Sequence, residues 1–440
     1  MNVLLVNKFY FPHGGSETYF FQVESLLKKK GHSVFIFSTR DSRNKPCPES
    51  RFFVEKIDYN RRDIPLGRRI RFGARLLYSF DAAKKMDALL REVKPDIAHL
   101  HNICHQISPS ILPVLKKHGV PIVQTLHDFK LICPSYRMLS PEGICERCHG
   151  NRYYNLIRQR CVKGSLAFSV LLCLEAYLHR AIRIYDRVDL FIASSQFYRD
   201  KLVSFGVDGR RIRVLPNFVQ PEDESSSVAH ASPPVPQASR LPPSGYALYC
   251  GRLGSEKGVL TLVKAAEAAP NIRVVVAGSG SEESAIRQYL AAKNVRNVEL
   301  VGFVSGDAKR ELIRGAGFFV VPSEWYENCS LSIHEAIAYG KPVVGSRIGG
   351  IPEQVKSGYN GLLFEPGNAE DLREKMRHLI AHPDELARMG RNAGKMAEEV
   401  YSPEIHYRQL MEIYREAVSR QNRTVAAQKD HCSYDQPEKP

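Results

Sequence analysis

Short apolar runs alternate with amphipathic stretches along this chain in two series, separated by one segment with no period at all. The first series holds Val3–Val6, His32–Ser38, Asp96–Leu100, Pro121–Thr125 and Leu190–Ser194, with helical patterns such as Glu17–Lys30 and Ala82–Val93 between them. Short runs of this kind, bounded by turn residues, predict strands covered on both faces. Strand, helix, strand in that order predicts a parallel α/β sheet. Residues 219–244 are rich in Pro and Ser and read as a linker or an exposed insertion. The alternation restarts at Tyr246–Cys250 and continues through Arg273–Ala277, Val298–Leu300, Phe318–Val321 and Pro342–Gly345. The pattern predicts an α/β protein of two Rossmann-like doubly wound domains facing a cleft. The N-terminal domain spans 1–218, with a cysteine-containing insertion at about 130–165, and the C-terminal domain spans 245–400. Residues 401–420 predict a closing helix, and 421–440 read as a disordered tail. Open α/β sheets bind ligands beyond the carboxyl ends of their strands, so the chemistry is expected in the loops that leave those strands.

Charge divides along the same boundary. Residues 1–218 hold 36 Lys/Arg against 19 Asp/Glu, whereas 219–440 hold 26 against 28, so the net +15 lies in the first half. Arg61, Arg62, Arg68, Arg69, Arg71 and Arg75 fall within fifteen residues. Such a patch attracts an anionic lipid surface, a pyrophosphate-bearing acceptor or nucleic acid, unless it is only a solvated loop. With 43% apolar and 25% charged residues the chain is neither collagenous nor wholly disordered. No stretch reaches the roughly 20 uncharged apolar residues of a membrane span. Met1–Val6 reads as a first strand without a basic n-region, so the expected location is the cytoplasm, with cysteines reduced or metal-bound.

Four motifs sit where strands end. Gly14-Gly15 follows the first strand and opens a helix, which allows close backbone approach and offers free N–H groups to an anion. Gly251-Arg252-Leu253, with Glu256-Lys257-Gly258, opens the second domain, and two cations beside a helix start can hold a diphosphate without metal. The segment Pro322–Ala336 places Glu327 just before a helix beginning near Leu331 and Glu335 one turn inside it, with seven residues between them. Two carboxylates so spaced can reach one polyhydroxylated ligand, while the N–H groups of Ser330, Leu331 and Ser332 face a phosphate. In the first domain, His127-Asp128 ends a strand; its imidazole can hydrogen-bond sugar hydroxyls, with Asp128 to orient it. His99 and His101 share one strand face, His101 emerging near the strand end and His99 packed.

The Glu–seven–Glu motif, the Gly-Arg-Leu…Glu-Lys-Gly segment and the run Ala338–Val344 stand together in one order. In these the chain resembles the retaining glycosyltransferases of the GT-B fold, family four, over nearly all of 1–420. The resemblance implies an acceptor-binding first domain, a second domain that binds a nucleotide-diphosphate sugar, and transfer to a hydroxyl of a glycan or lipid-linked acceptor. It implies that Gly14, Gly15, Arg252 and Lys257 neutralise the donor diphosphate. Glu327, with Asn328 beside it, would hold sugar hydroxyls, Glu335 the ribose, and the backbone of Ser330, Leu331 and Ser332 phosphate or sugar. His127 would lie by the anomeric carbon, and no catalytic metal would be needed. Cys329-Ser330 departs from the Gly or Pro of many members. An epimerase or phosphorylase of the same fold is an alternative.

Two features stand outside that pattern. Cys133, Cys145, Cys148 and Cys161 lie within 29 residues and include one Cys-x-x-Cys, a spacing that can close a structural zinc site. Together with the basic half they leave a zinc-containing nucleic-acid-binding protein as a rival of another class, against which the neutral, carboxylate-bearing second half argues. Ser165–Tyr185 reads as an amphipathic helix, either buried in the domain core or docked weakly on an anionic membrane from the cytoplasmic side.

Overall fold

The computed structural model describes residues 1–57, 66–140, 142–219 and 245–434, the side chains of 66, 68–71 and 424–434 excepted. Arg61 and Arg62, nearly all of the Pro/Ser-rich segment and residues 435–440 lie outside the described residues. The chain forms two compact units. One comprises Met1–Ser194, Arg199–Leu215 and the chain from Tyr407 onward; the other comprises Ser195–Tyr198 and Pro216–His406.

The first unit is built on a six-stranded parallel sheet: β1 (Asn2–Val6), β2 (Ser33–Phe37), β3 (Ile97–Leu100), β4 (Ile122–Leu126), β5 (Leu190–Ala193) and β6 (Ile212–Val214), in the order β6-β5-β4-β3-β1-β2. Val3 to Val6 are wholly buried, as a parallel strand covered on both faces must be. The order reverses between β1 and β3, and the loops leaving these two strands carry Gly14-Gly15 and His101. Helix α1 (Gly15–Lys29) follows β1. Helix α2 (Leu66–Leu77) lies beside α3 (Leu166–Ala181), with Gly73 against Leu171. α3 starts at Ser165, whose hydroxyl accepts the Phe168 N–H and so satisfies a donor of the first turn.

The second unit repeats the plan with β7 (Ala247–Cys250), β8 (Val274–Ala277), β9 (Val298–Gly302), β10 (Phe318–Val321), β11 (Val343–Ser346) and β12 (Gly361–Phe364), in the order β9-β8-β7-β10-β11-β12. Side-chain alternation divides its core into two layers. Ala247, Val274, Val276, Phe318 and Val320 fill one, and Leu248, Val275, Phe319, Val321 and Val343 fill the other. Helix α4 (Val259–Glu267) follows β7, and α5 (Leu331–Ala338) follows β10. The order reverses between β7 and β10, which puts the loops 251–258 and 322–330 side by side.

Two strands, β6 and β12, lie where no strand was expected. The last helix, α6 (Pro403–Tyr434), runs past residue 420, where the sequence pattern ends a closing helix and begins a tail. From Tyr407 onward it belongs to the first unit. There Tyr407 hydroxyl meets His32 Nε2 at 2.8 Å, Tyr414 hydroxyl meets His99 Nδ1 at 2.7 Å, and Glu416 accepts from Arg213 Nε at 2.8 Å. Among the described residues no helix is long and apolar enough to cross a membrane.

Candidate active site

In the second unit, two glycines weld the switch-point loops to their surroundings. Gly258 has φ +65°, and a Cβ there would stand 1.9 Å from Pro322 O, so only glycine lets the Lys257 turn rest on the end of β10. Gly349 has φ +60° and lies against the backbone of Glu327, while the Gly350 N–H donates to Glu327 O at 2.7 Å. Ser346 Oγ at the end of β11 donates to Ser323 O at 2.7 Å. The Glu324 N–H donates to Glu256 O at 2.9 Å, joining one loop to the other.

These contacts place Lys257 Nζ 2.6 Å from Glu327 Oε1, an atom that also accepts from Ser323 Oγ at 2.7 Å. Burial alone would raise the Glu327 pKa. The Lys257 ammonium and the Ser323 hydroxyl outweigh it and hold the carboxyl below its usual range, so it is ionised at neutral pH. Arg252, largely exposed, is ion-paired with the buried Glu256, and Glu335 is ion-paired with Lys309. Ser332 Oγ donates to Cys250 O at 2.7 Å, tying the start of α5 to the end of β7. Leu331 and Ser332 are the first two helical residues, whose N–H groups have no partner within the helix. Ser330 corrects the expectation of a third amide facing a ligand: its N–H donates to Gln354 Oε1 at 2.8 Å, and Gln354 Nε2 returns a bond to Ser330 O at 3.0 Å.

In the first unit, His127 lies at the end of β4 with its Nε2 3.0 Å from His101 Nδ1. Burial and the nearby Lys8 ammonium depress the His127 pKa to about 3, and burial also carries His101 well below its ordinary value, so both rings are neutral. His99, as expected, is packed, between Tyr414 hydroxyl and Thr125 Oγ1. Asp128 Oδ1 accepts the Lys130 N–H at 3.0 Å. Both histidines line a cavity of about 130 Å³ shared with Lys8, Gln124, Lys130 and Tyr185. Lys130 Nζ bonds Glu175 Oε2 of α3 at 2.6 Å and His105 Nε2 at 3.1 Å. Gly14 is extended (φ −165°), and a Cβ there would meet only Glu17 Oε2, at 3.5 Å; neither backbone nor packing demands a glycine.

Cys133, Cys145 and Cys161 lie near enough to Cys148 to help burial push its thiol up to about 12, yet all four are free. His149 turns its Nε2 to Ser204 O at 2.9 Å. Among the described residues no group of three or more His, Cys, Asp or Glu side chains is placed to hold a metal ion. Cys148 and Cys161 pack in an apolar patch with Leu156 and Leu172.

Residues 13–223 match the family model Glycosyltransferase Family 4, and residues 237–396 match Glycosyl transferases group 1. The chain is a family 4, group 1 glycosyltransferase with the GT-B fold. A protein of the cps region of Klebsiella pneumoniae is 26% identical over 364 residues, covering 80% of this chain and 87% of the relative. An uncharacterised glycosyltransferase of Methanocaldococcus jannaschii is 33% identical over 172 residues, spanning 39% of this chain and 48% of that one. Among solved structures, that of Anabaena HepE in complex with UDP and glucose superposes with a TM-score of 0.63 at 20% identity, covering 94% of this chain and 98% of that one. In this glycosyltransferase Lys257, Glu327, Glu335 and His127 stand in sequence motifs, whereas Lys309, Lys130 and Glu175, which pair with or adjoin them, do not. No local motif marks Lys309, which pairs with Glu335 from 26 positions away. Glu175 did carry a signal: it is the one acid in a long apolar helix, and such a residue needs a buried partner.

Proposed function

We propose that the second unit binds a nucleotide-diphosphate sugar and that the enzyme transfers the glycosyl group, with retention of configuration, to an acceptor hydroxyl bound by the first unit. The observation that carries this reading is the 2.6 Å contact between Lys257 and Glu327, which joins a cation and an ionised carboxylate from two adjacent switch-point loops. Lys257 and Arg252 then serve the departing diphosphate, where fixed positive charge lowers the barrier most. Glu327 accepts from sugar hydroxyls and Glu335 from the ribose. Both carboxylates already hold a cation, Lys257 and Lys309, so donor binding redistributes existing ion pairs. A Gly14 that neither φ nor packing requires fits close approach of the donor to the backbone. The neutral His127–His101 pair suits hydrogen bonding to an acceptor hydroxyl and not donation from an imidazolium. The uridine diphosphate in the Anabaena structure supports a nucleotide donor. The cps-region relative supports a polysaccharide or related glycoconjugate as the product.

Thermal unfolding with a panel of nucleoside diphosphates and their sugars tests the reading. At least one should raise the midpoint by mass action, and Lys257→Ala and Glu335→Ala should each lose most of that shift. A panel in which no nucleotide sugar moves the midpoint would overturn the proposal.

A further inference from the structure

Helix α3 buries charged and polar side chains beside Leu172 and Cys173 and leaves several large apolar ones outside. Its acid, Glu175, is buried and bonded to Lys130, and its His179 is buried with Nε2 on Leu77 O at 2.8 Å. Its outward face carries Leu166, Phe168, Leu174, Tyr177 and Leu178, with Ile182 just beyond, all between 36% and 55% exposed. Soluble surfaces seldom leave such a continuous apolar stripe uncovered. Cations frame it. Residues 152–185 contain six Arg/Lys and a single acid, the buried Glu175. Arg158, Arg160 and Lys163 precede the helix and Arg180 closes it, all exposed, while Arg183 just beyond is exposed and ion-paired with Asp186. α2, whose sequence holds Arg68, Arg69 and Arg71, lies alongside.

We infer that the outward face of α3 docks in the plane of an anionic lipid surface and that the acceptor reaches the His127 cavity while anchored in that surface. An apolar face sunk at the headgroup boundary, with cations on the phosphates, is how a helix too short to span lies on a membrane. At 16 residues, with Glu175 near its middle, α3 is such a helix. A second copy of the chain fits less well, because a self-complementary contact would set like-charged rims against each other. The same helix that offers leucines to lipid holds Lys130 in the cavity through Glu175, so one element serves both the surface and the acceptor pocket. The acceptor half of this inference rests on the first unit holding the acceptor.

Flotation of the full chain with phosphatidylglycerol–phosphatidylcholine vesicles, against phosphatidylcholine alone, tests it. The protein should float with the anionic vesicles at low salt, and raised ionic strength should release it. Leu174→Glu with Leu178→Glu should cut the floated fraction roughly tenfold, because both side chains are exposed and charge at that depth is costly. Arg180→Ala with Arg183→Ala should shift release to lower salt. Both variants should keep the wild-type unfolding midpoint and the wild-type shift with a nucleoside diphosphate, which separates this inference from the donor reading. A wild type that ignores both vesicles, a Leu174/Leu178 variant that floats unchanged, or a wild-type dimer that the variant dissolves would each overturn it.

Discussion

Glu327 and His127 show opposite outcomes of burying an ionisable side chain. Glu327 has a cation at contact distance and stays charged; His127 has a cation, Lys8, in its neighbourhood and stays neutral. A ring with its pKa at about 3 does not change charge across neutral pH. The kcat/KM profile should therefore show no inflection from His127 near the ordinary value of about 6.5. His127→Asn should lower kcat without altering the shape of that profile, and an imidazole resonance from His127 titrating near neutrality would contradict the assignment. The individual charged residues were legible because their types and spacing carry chemistry. Their partners were not: the Gln354 that occupies the Ser330 N–H and the Lys309 that pairs with Glu335 come from elements whose approach only the folded sheet determines.

At the scale of elements, β7 and β10 were readable as apolar runs, and the loops leaving them as sites, because a doubly wound sheet places its ligand loops by rule. β6 and β12 are short and were missed. Ile212–Val214 has only three residues, and Gly361–Phe364 opens with a glycine that a strand pattern does not favour. That glycine is needed, since a Cβ at Gly361 would stand 2.0 Å from Val343 O. Cys133, Cys145 and Cys161 come near Cys148 in the folded unit, and Cys148 and Cys161 pack with Leu156 and Leu172. The junction of Gly258 with β10 gives an element-scale prediction. Gly258→Ala combines a positive φ with a collision at Pro322 O, so it should cost about 2–4 kcal/mol and displace Lys257. Denaturant unfolding should show the loss, and the nucleoside diphosphate shift should fall with it. A variant as stable as wild type would mean that the loop accommodates a side chain there.

For the whole molecule, buried neutral histidines set an acid limit. His334 and His406, both in the second unit, have pKa values of about 3, each lowered by burial. In the unfolded chain they take up protons below their ordinary pKa of about 6.5, while the folded unit refuses them down to about 3. Stability should therefore fall as pH drops through that window, by about 1.4 kcal/mol per pH unit for each histidine. Unfolding of the second unit followed from pH 7 to 5 should show the slope, and His406→Gln should flatten it whatever its effect on the midpoint at neutrality. Twin domains were readable from two series of strands, yet the sequence pattern ends each domain before the next begins. The return of α6 to the first unit was hidden because an amphipathic helix does not announce which sheet it covers.

That return has a consequence for biogenesis. A ribosome delivers Met1–Ser194 early, but the Tyr414 hydroxyl that satisfies His99 and the Glu416 carboxylate that receives Arg213 are translated only after every residue of the second unit. The nascent first unit must wait with an incomplete polar interior while its successor emerges, and these two contacts form only once the chain beyond His406 has followed.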